Sequence, residues 1–207
     1  MSPLFVMSSV LVPWVVTPVW TRSKVALIPR GIRFRVALPD GSEEIAPAFE
    51  NTAAETMGIV DGEKAHAKVL IGAFHGAASQ VTQFSETLYV DVTLPAGGEI
   101  DIPADTEERA IYVIDGSISV AGDAFTGDQL LVFRPGDEIV VRSEAGASFM
   151  IFGGASIGSP RHIWWNFVSS AREKIEEAKR EWRAADWGMG LFDLPTGDRA
   201  AYIPAPE

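Results

Sequence analysis

Thr87-Leu88-Tyr89-Val90-Asp91-Val92-Thr93-Leu94, closed by Pro95-Ala96-Gly97-Gly98, is the stretch that decides the fold class of this chain. Leu88, Val90, Val92 and Leu94 recur at every second position, which places them on one face of a strand, and the Pro-Ala-Gly-Gly after them is turn chemistry. The pattern spreads outward. Ile100 and Ile102 repeat it before Pro103, residues 110–114 are an apolar run, and Ile118 and Val120 alternate with serines after Asp115-Gly116, which reads as a turn. Further turns are expected at Gly122-Asp123 and Gly127-Asp128, with strands over 130–133, 139–142 and 148–152. Short strands at this spacing predict a mainly β protein, an antiparallel barrel or sandwich. Period two then points Leu88, Val90, Val92, Ile100, Ile102, Ile118 and Val120 inward.

The flanks read differently. Residues 1–30 are Val-rich and interrupted by Pro13 and Pro18, so they promise little independent structure. Residues 33–38 alternate like a strand that Pro39-Asp40-Gly41 ends, and from Ser42 to about Glu63 an Ala- and Glu-rich text with Pro47 predicts a connector carrying a short helical piece. Beyond the β region, Ser170 and Glu173 have the spacing of a capping box. Ile175, Ala178 and Trp182 mark an apolar helix face, Glu176 and Arg180 an i,i+4 pair, and Gly188 and Gly190 the stop. Residues 191–207, with Pro195, Pro204 and Pro206, are expected to be an extended tail.

Composition narrows the function classes. Of 207 residues, 47% are hydrophobic and 22% charged, which suits a globular protein able to bury a sizeable core. Zero cysteines remove disulfides, thiolate nucleophiles and cysteine-ligated metals. A net charge of −11 lacks the basic footprint of a nucleic-acid binder. The apolar stretch from Leu4 to Trp20 is broken by prolines and has no basic residue before it, so neither a signal peptide nor a spanning helix is expected. A cytoplasmic protein without direct nucleic-acid or membrane contact is the plain expectation.

Several of these runs together resemble the pirins, two-barrel members of the cupin superfamily. Residues 87–97 resemble the strand that opens the pirin C-terminal barrel, and Ile111-Tyr112-Val113-Ile114-Asp115-Gly116-Ser117 is similar to its hairpin. Pro160-Arg161-His162-Ile163-Trp164-Trp165-Asn166-Phe167-Val168-Ser169-Ser170 resembles the segment that comes after the barrel in bacterial members. Gly31-Ile32 with Val36-Ala37-Leu38-Pro39 is similar to the last strand of the first barrel, with Arg33 and Arg35 departing from the pattern. The resemblance covers about 31–187. It implies a cupin jelly-roll barrel and a C-terminal helix, divided as a divergent segment over 1–30, a remnant strand and inter-barrel connector over 31–84, the barrel over 85–160, and an aromatic segment, helix and tail over 161–207. In intact members the iron site of three histidines and a glutamate lies in the first barrel, and no such motif precedes Gly31. The expectation is a pirin reading frame lacking that barrel.

The site chemistry comes from the same resemblance. Counting back from Gly116, the positions where a cupin carries metal ligands fall on Pro103, Asp105 and Arg109, none of them a histidine. His66 and His75, with Glu63, are the remaining metal candidates, weighed against ordinary solvated imidazoles. His162, Trp164 and Trp165, with Tyr112, have two readings: a plug sealing the barrel, with Arg161 stacked nearby, or the wall of a ligand pocket. No nucleophile elbow or phosphate loop is present, and the acidic run 101–108 reads as a solvated edge. Two functions are expected from this. One is a metal-free binding or regulatory protein acting through protein contacts or a small apolar ligand, with self-association over uncovered apolar surface. The other is a quercetin 2,3-dioxygenase-type cupin oxygenase, which needs ligands this sequence does not offer.

Overall fold

A computed structural model describes residues 36–45, 50, 52–188, 192 and 203–206. The expectations for 1–30, for the first half of the 33–38 strand, for Pro47 and Gly190, and for most of the tail lie outside these residues. The described residues divide into two units, one of residues 50 and 52–156, the other of 36–45, 157–188, 192 and 203–206.

The first unit is antiparallel β throughout. Its strands are β1 (Gly58–Asp61), β2 (His66–Ile71), β3 (Ala73–Phe74), β4 (Ala77–Ala78), β5 (Thr87–Leu94), β6 (Gly98–Ile102), β7 (Glu108–Val120), β8 (Asp123–Thr126), β9 (Leu130–Phe133), β10 (Ile139–Ser143) and β11 (Ala147–Gly154). Nine of them form one curled sheet in the order β1-β2-β5-β11-β7-β10-β6, with β8 and β9 also paired to β7. The curl brings the ends of this path together. Glu99 in β6 donates its backbone N–H to the Lys64 carbonyl in the β1–β2 loop, and the Lys64 ammonium pairs with the Glu99 carboxylate.

One face of the sheet is the core. Leu88, Val90, Val92, Ile100, Ile102 and Ile118 are buried there and Val120 packs partly buried against them, the parity that period two predicts. Ala67, Val69, Ile111, Val113, Val141, Phe149 and Ile151 complete it at zero exposure. The centre of the sheet is covered on its other face as well, where Ala110, Met150 and Phe152 are buried.

Three expectations are corrected here. Asp115-Gly116 is not a turn, because β7 continues unbroken through it for 13 residues. The register against β11 slips by one residue between Val113 and Asp115, a bulge that bends the strand, and Gly116 takes φ +78°. A side chain at Gly116 would run into the Gly146 carbonyl and the Ala147 backbone, so glycine is required twice over. The true hairpin turn is Ala121-Gly122, both at positive φ, between Val120 and Asp123. Second, part of the stretch read as connector is sheet: β1 and β2 pair with each other and β2 with β5. Third, Val36–Pro39 lacks regular structure, and the helical content before β1 is limited, among the described residues, to single 3-10 turns at Asp40–Ser42 and Ala54–Thr56.

In the second unit, a hairpin of β12 (His162–Trp164) and β13 (Phe167–Ser169) leads into α1 (Arg172–Ala184). Ile175 and Ala178 are its buried face. The capping box does not form. The N-cap is Ala171 with no side-chain cap, because Ser170 bonds instead to Glu43 through both its amide (2.8 Å) and its hydroxyl (3.1 Å). The Glu43 carboxylate thus supplies the negative charge that a helix N-terminus attracts. The surface pairs run i,i+3, Glu176 with Lys179 and Glu177 with Arg180, rather than Glu176 with Arg180. The helix ends before either glycine, at Ala185 in the left-handed region.

Val90 is fully buried and Thr93 is exposed on the same strand, which sets a direct check on register. Val90→Ala is expected to cost roughly 1–3 kcal/mol in urea unfolding, from lost burial and a residual cavity, and Thr93→Ala at most about 0.5 kcal/mol. A larger cost at Thr93 would invert the register.

Candidate functional site

The inner face of the curled sheet is hydrocarbon with a single charge in it among the described residues. Arg109 shares the inward parity of β7 with Ile111 and Val113 and is 1% exposed. Of the three positions that the resemblance marks, Asp105 is exposed, Pro103 half-buried, and only Arg109 is buried. The guanidinium Nη1 donates to the carbonyls of Ile102 (3.3 Å) and Pro103 (3.1 Å), and Nη2 to that of Arg134 (3.3 Å). A charged residue at the inward parity of Arg109-x-Ile111-x-Val113 is the sequence signal for this contact, and it is visible once the strand is recognised.

The imidazoles are not brought together. His66, on β2, has Nδ1 3.1 Å from Asp61 Oδ1 across the β1–β2 hairpin. His75 lies between β3 and β4, with Nε2 2.9 Å from the Asp101 carbonyl oxygen. His162 is exposed on β12 in the other unit. Glu63 is exposed in the β1–β2 loop. Among the described residues, no group of three or more His, Cys, Asp or Glu is placed to hold a metal ion.

The outer face of the sheet holds a small polar cluster. Asp91 on β5 stands opposite Lys68 on β2 and Met150 on β11. Burial pushes its carboxyl above the ordinary value of 3.8, against the pull of Lys68 and His66. Tyr89, two residues along, is pushed up by burial and further by the Asp91 charge. Tyr112 is half-buried and donates its hydroxyl to Asp128 (3.0 Å); burial first, then this bond, raises it.

Trp164 and Trp165 do come together, 6.1 Å apart edge to face, in an aromatic cluster with Phe167, Trp182, Trp187 and Phe192. Trp165 carries the hairpin turn at φ +51°. All of these rings sit on the hairpin, on the helix or just beyond its end, within the second unit, whereas Tyr112 belongs to the first. The cations over Trp164 are Lys179 (5.0 Å) and Arg183 (5.5 Å), not Arg161. Arg161 is drawn away by carboxylates. Its Nη2 lies 2.6 Å from Asp40 Oδ1 and donates to the Leu38 carbonyl at 2.8 Å, and its Nε lies 3.3 Å from Glu43 Oε1 without hydrogen-bond geometry. The hydroxyl of Ser159, then the Arg161 charge, holds the Asp40 carboxyl below the ordinary carboxylate value. This network is not legible from sequence, because Arg161 and Leu38 are 123 residues apart.

Residues 89–188 match the family model described as the pirin C-terminal cupin domain. A pirin-like protein of Caulobacter vibrioides is 36% identical over 178 residues, which cover 86% of this chain and 60% of that protein. Pirin-1 of Arabidopsis thaliana is 23% identical, covering 79% of this chain and 60% of its own. A crystal structure of quercetin 2,3-dioxygenase from Acinetobacter baumannii superposes with a TM-score of 0.74 at 26% identity, over 84% of this chain and 57% of that one. The chain therefore spans less than two thirds of each of these relatives.

Two measurements probe this electrostatics. Arg161→Met leaves Glu43, 10% exposed at its side chain, without its cation, and is expected to cost about 3 kcal/mol or more in urea unfolding. Asp91→Asn tests the opposite sign. A carboxyl raised in the folded state makes the fold less stable as pH rises through the carboxylate range, since the unfolded chain releases that proton more readily. Asp91→Asn should therefore melt higher than the parent at pH 7, and the gap should close as pH falls below 3.8. A gap that is independent of pH would reject burial as the cause.

Proposed function

Over residues 89–188 this chain belongs to the pirin family, as its C-terminal cupin domain, and from that premise we propose that it is a metal-free binding or regulatory protein acting through protein contacts or a small apolar ligand. The observation that carries the reading is the chemistry of the inner face, which is aliphatic and aromatic apart from Arg109 and shows no imidazole or carboxylate among the described residues. An oxygen-activating iron needs several imidazole or carboxylate donors converging on one ion, with open positions beside them. The residues described do not fit it. His66 and His75 are bonded to separate partners, and among the described residues no three or more His, Cys, Asp or Glu are placed to hold a metal ion. The contact reading is supported by apolar side chains at the surface: Leu130 is 49% and Val132 76% exposed on β9, with Ile59, Phe84 and Ile163 also exposed. Self-association over such surface is part of the proposal.

The likeness to the Acinetobacter dioxygenase favours a second reading, in which the chain takes part in quercetin 2,3-dioxygenation with donors from beyond the residues described. One experiment separates the two. The full chain, purified and washed with chelator, is expected to hold iron, nickel and copper well below one equivalent and to show no oxygen uptake on quercetin. Near-equimolar metal together with oxygen uptake would overturn the metal-free reading, and His66 and His75 would be the first residues to substitute.

A further inference from the structure

A cation at 1% exposure inside a hydrocarbon core requires an explanation, because burial disfavours a charge and a methionine would fill the same space without that cost. No carboxylate is paired with Arg109 among the described residues, and its Nε has no hydrogen-bond partner there. The side chain touches backbone instead. Ile102 ends β6, Pro103 opens the loop to β7, and Arg134 comes directly after β9, so three carbonyls from two separate parts of the chain aim at one guanidinium. Ile102 is buried and Pro103 half-buried, while the Arg134 carbonyl also accepts from the Asp137 N–H at 3.3 Å, so the guanidinium adds to the bonding of these loop ends. A planar fork of five N–H groups serves several at once, which neither lysine nor histidine does in the same geometry. The residue registered opposite Arg109 on β11 is Gly153, where a Cβ would run into the Glu108 carbonyl, so the β7 and β11 backbones approach closely at this point.

We propose that Arg109 is the built-in cation of this sheet: a strap that ties β6, β7 and the end of β9 together and fills the inner space that a metal ion would require. Its fixed positive charge also repels a second cation from the same end. The inference deepens the metal-free reading and rests on it for what the strap excludes, while the strap itself stands on the carbonyl geometry alone.

Hydrogen exchange of the full chain, read by mass spectrometry, tests the strap. In the parent protein the amides of β6 and β9 are expected to exchange as slowly as those of β7, although each of these strands is only four or five residues long. Arg109→Met keeps the stem and removes the fork, and should speed exchange in β6 and β9 by at least about tenfold while leaving β2 and β5 unchanged. In Arg109→Ala, guanidinium chloride at low millimolar concentration should restore protection where equal sodium chloride does not. If the variants fail to fold, the parent measurement decides: freely exchanging β6 and β9 would overturn the strap. Unchanged exchange in a folded Arg109→Met would overturn it equally. Equimolar iron in a parent protein whose strap is intact would overturn the metal-free reading and leave the strap standing.

Discussion

A single strand that serves two halves of one sheet is the constraint on which the first unit depends. β7 pairs with β11 and β9 along its first half and with β8 and β10 along its second, and the change of partners takes place at the bulge before Gly116. Without the bend the two halves would continue as one flat sheet, and the inward sets Ile111–Val113 and Ile118–Val120 would not face a common core. The positive φ of Gly116 and the close approach of the β11 backbone leave no space for a side chain there. The same strand places Arg109 at its inner end, so the element that makes the curl also carries the charge buried inside it.

The two units solve the problem of a buried arginine in different ways. Arg109 is neutralised by no carboxylate among the described residues and spends its donors on backbone carbonyls. Arg161, whose side chain is 5% exposed, faces Asp40 and Glu43, and Glu43 in turn accepts from Ser169 and Ser170 at the start of α1. The first arrangement fixes loops around a core. The second joins the 36–45 segment to the hairpin and helix, and it takes over the task that a local capping box would otherwise perform. Both guanidinium groups hold chain segments in place.

Much of this is legible in the sequence because one-sided burial with period two is unambiguous. Residues 87–94 alone place their inward set correctly. Asp115-Gly116 misleads because a glycine at positive φ serves a bulge and a turn equally well, and only pairing with β11 decides between them. β2 escapes notice because it is covered on both faces: Ala67 and Val69 are buried on one and Leu70 on the other, so the alternation is blurred. The helix start fails for a different reason. Ser170 has the right spacing to Glu173, yet a carboxylate 127 residues away wins it, and no local pattern reports a contact at that separation. For the aromatic segment, residue type announces a cluster around Trp164 and Trp165 but not that its cations are Lys179 and Arg183. The family resemblance over the cupin domain is borne by strand and hairpin runs, and it speaks to the fold more firmly than to any activity.

A guanidinium held by backbone carbonyls at the inner end of the curled sheet has a signature in nitrogen NMR of the arginine side chains, with Arg109→Lys assigning the resonance. One Nε–H signal is expected to exchange slowly with solvent, its guanidinium rotation hindered by the bonds to Ile102, Pro103 and Arg134. A signal for Arg109 averaged by free rotation and exchanging as fast as those of the exposed Arg134 and Arg142 would refute the buried fork.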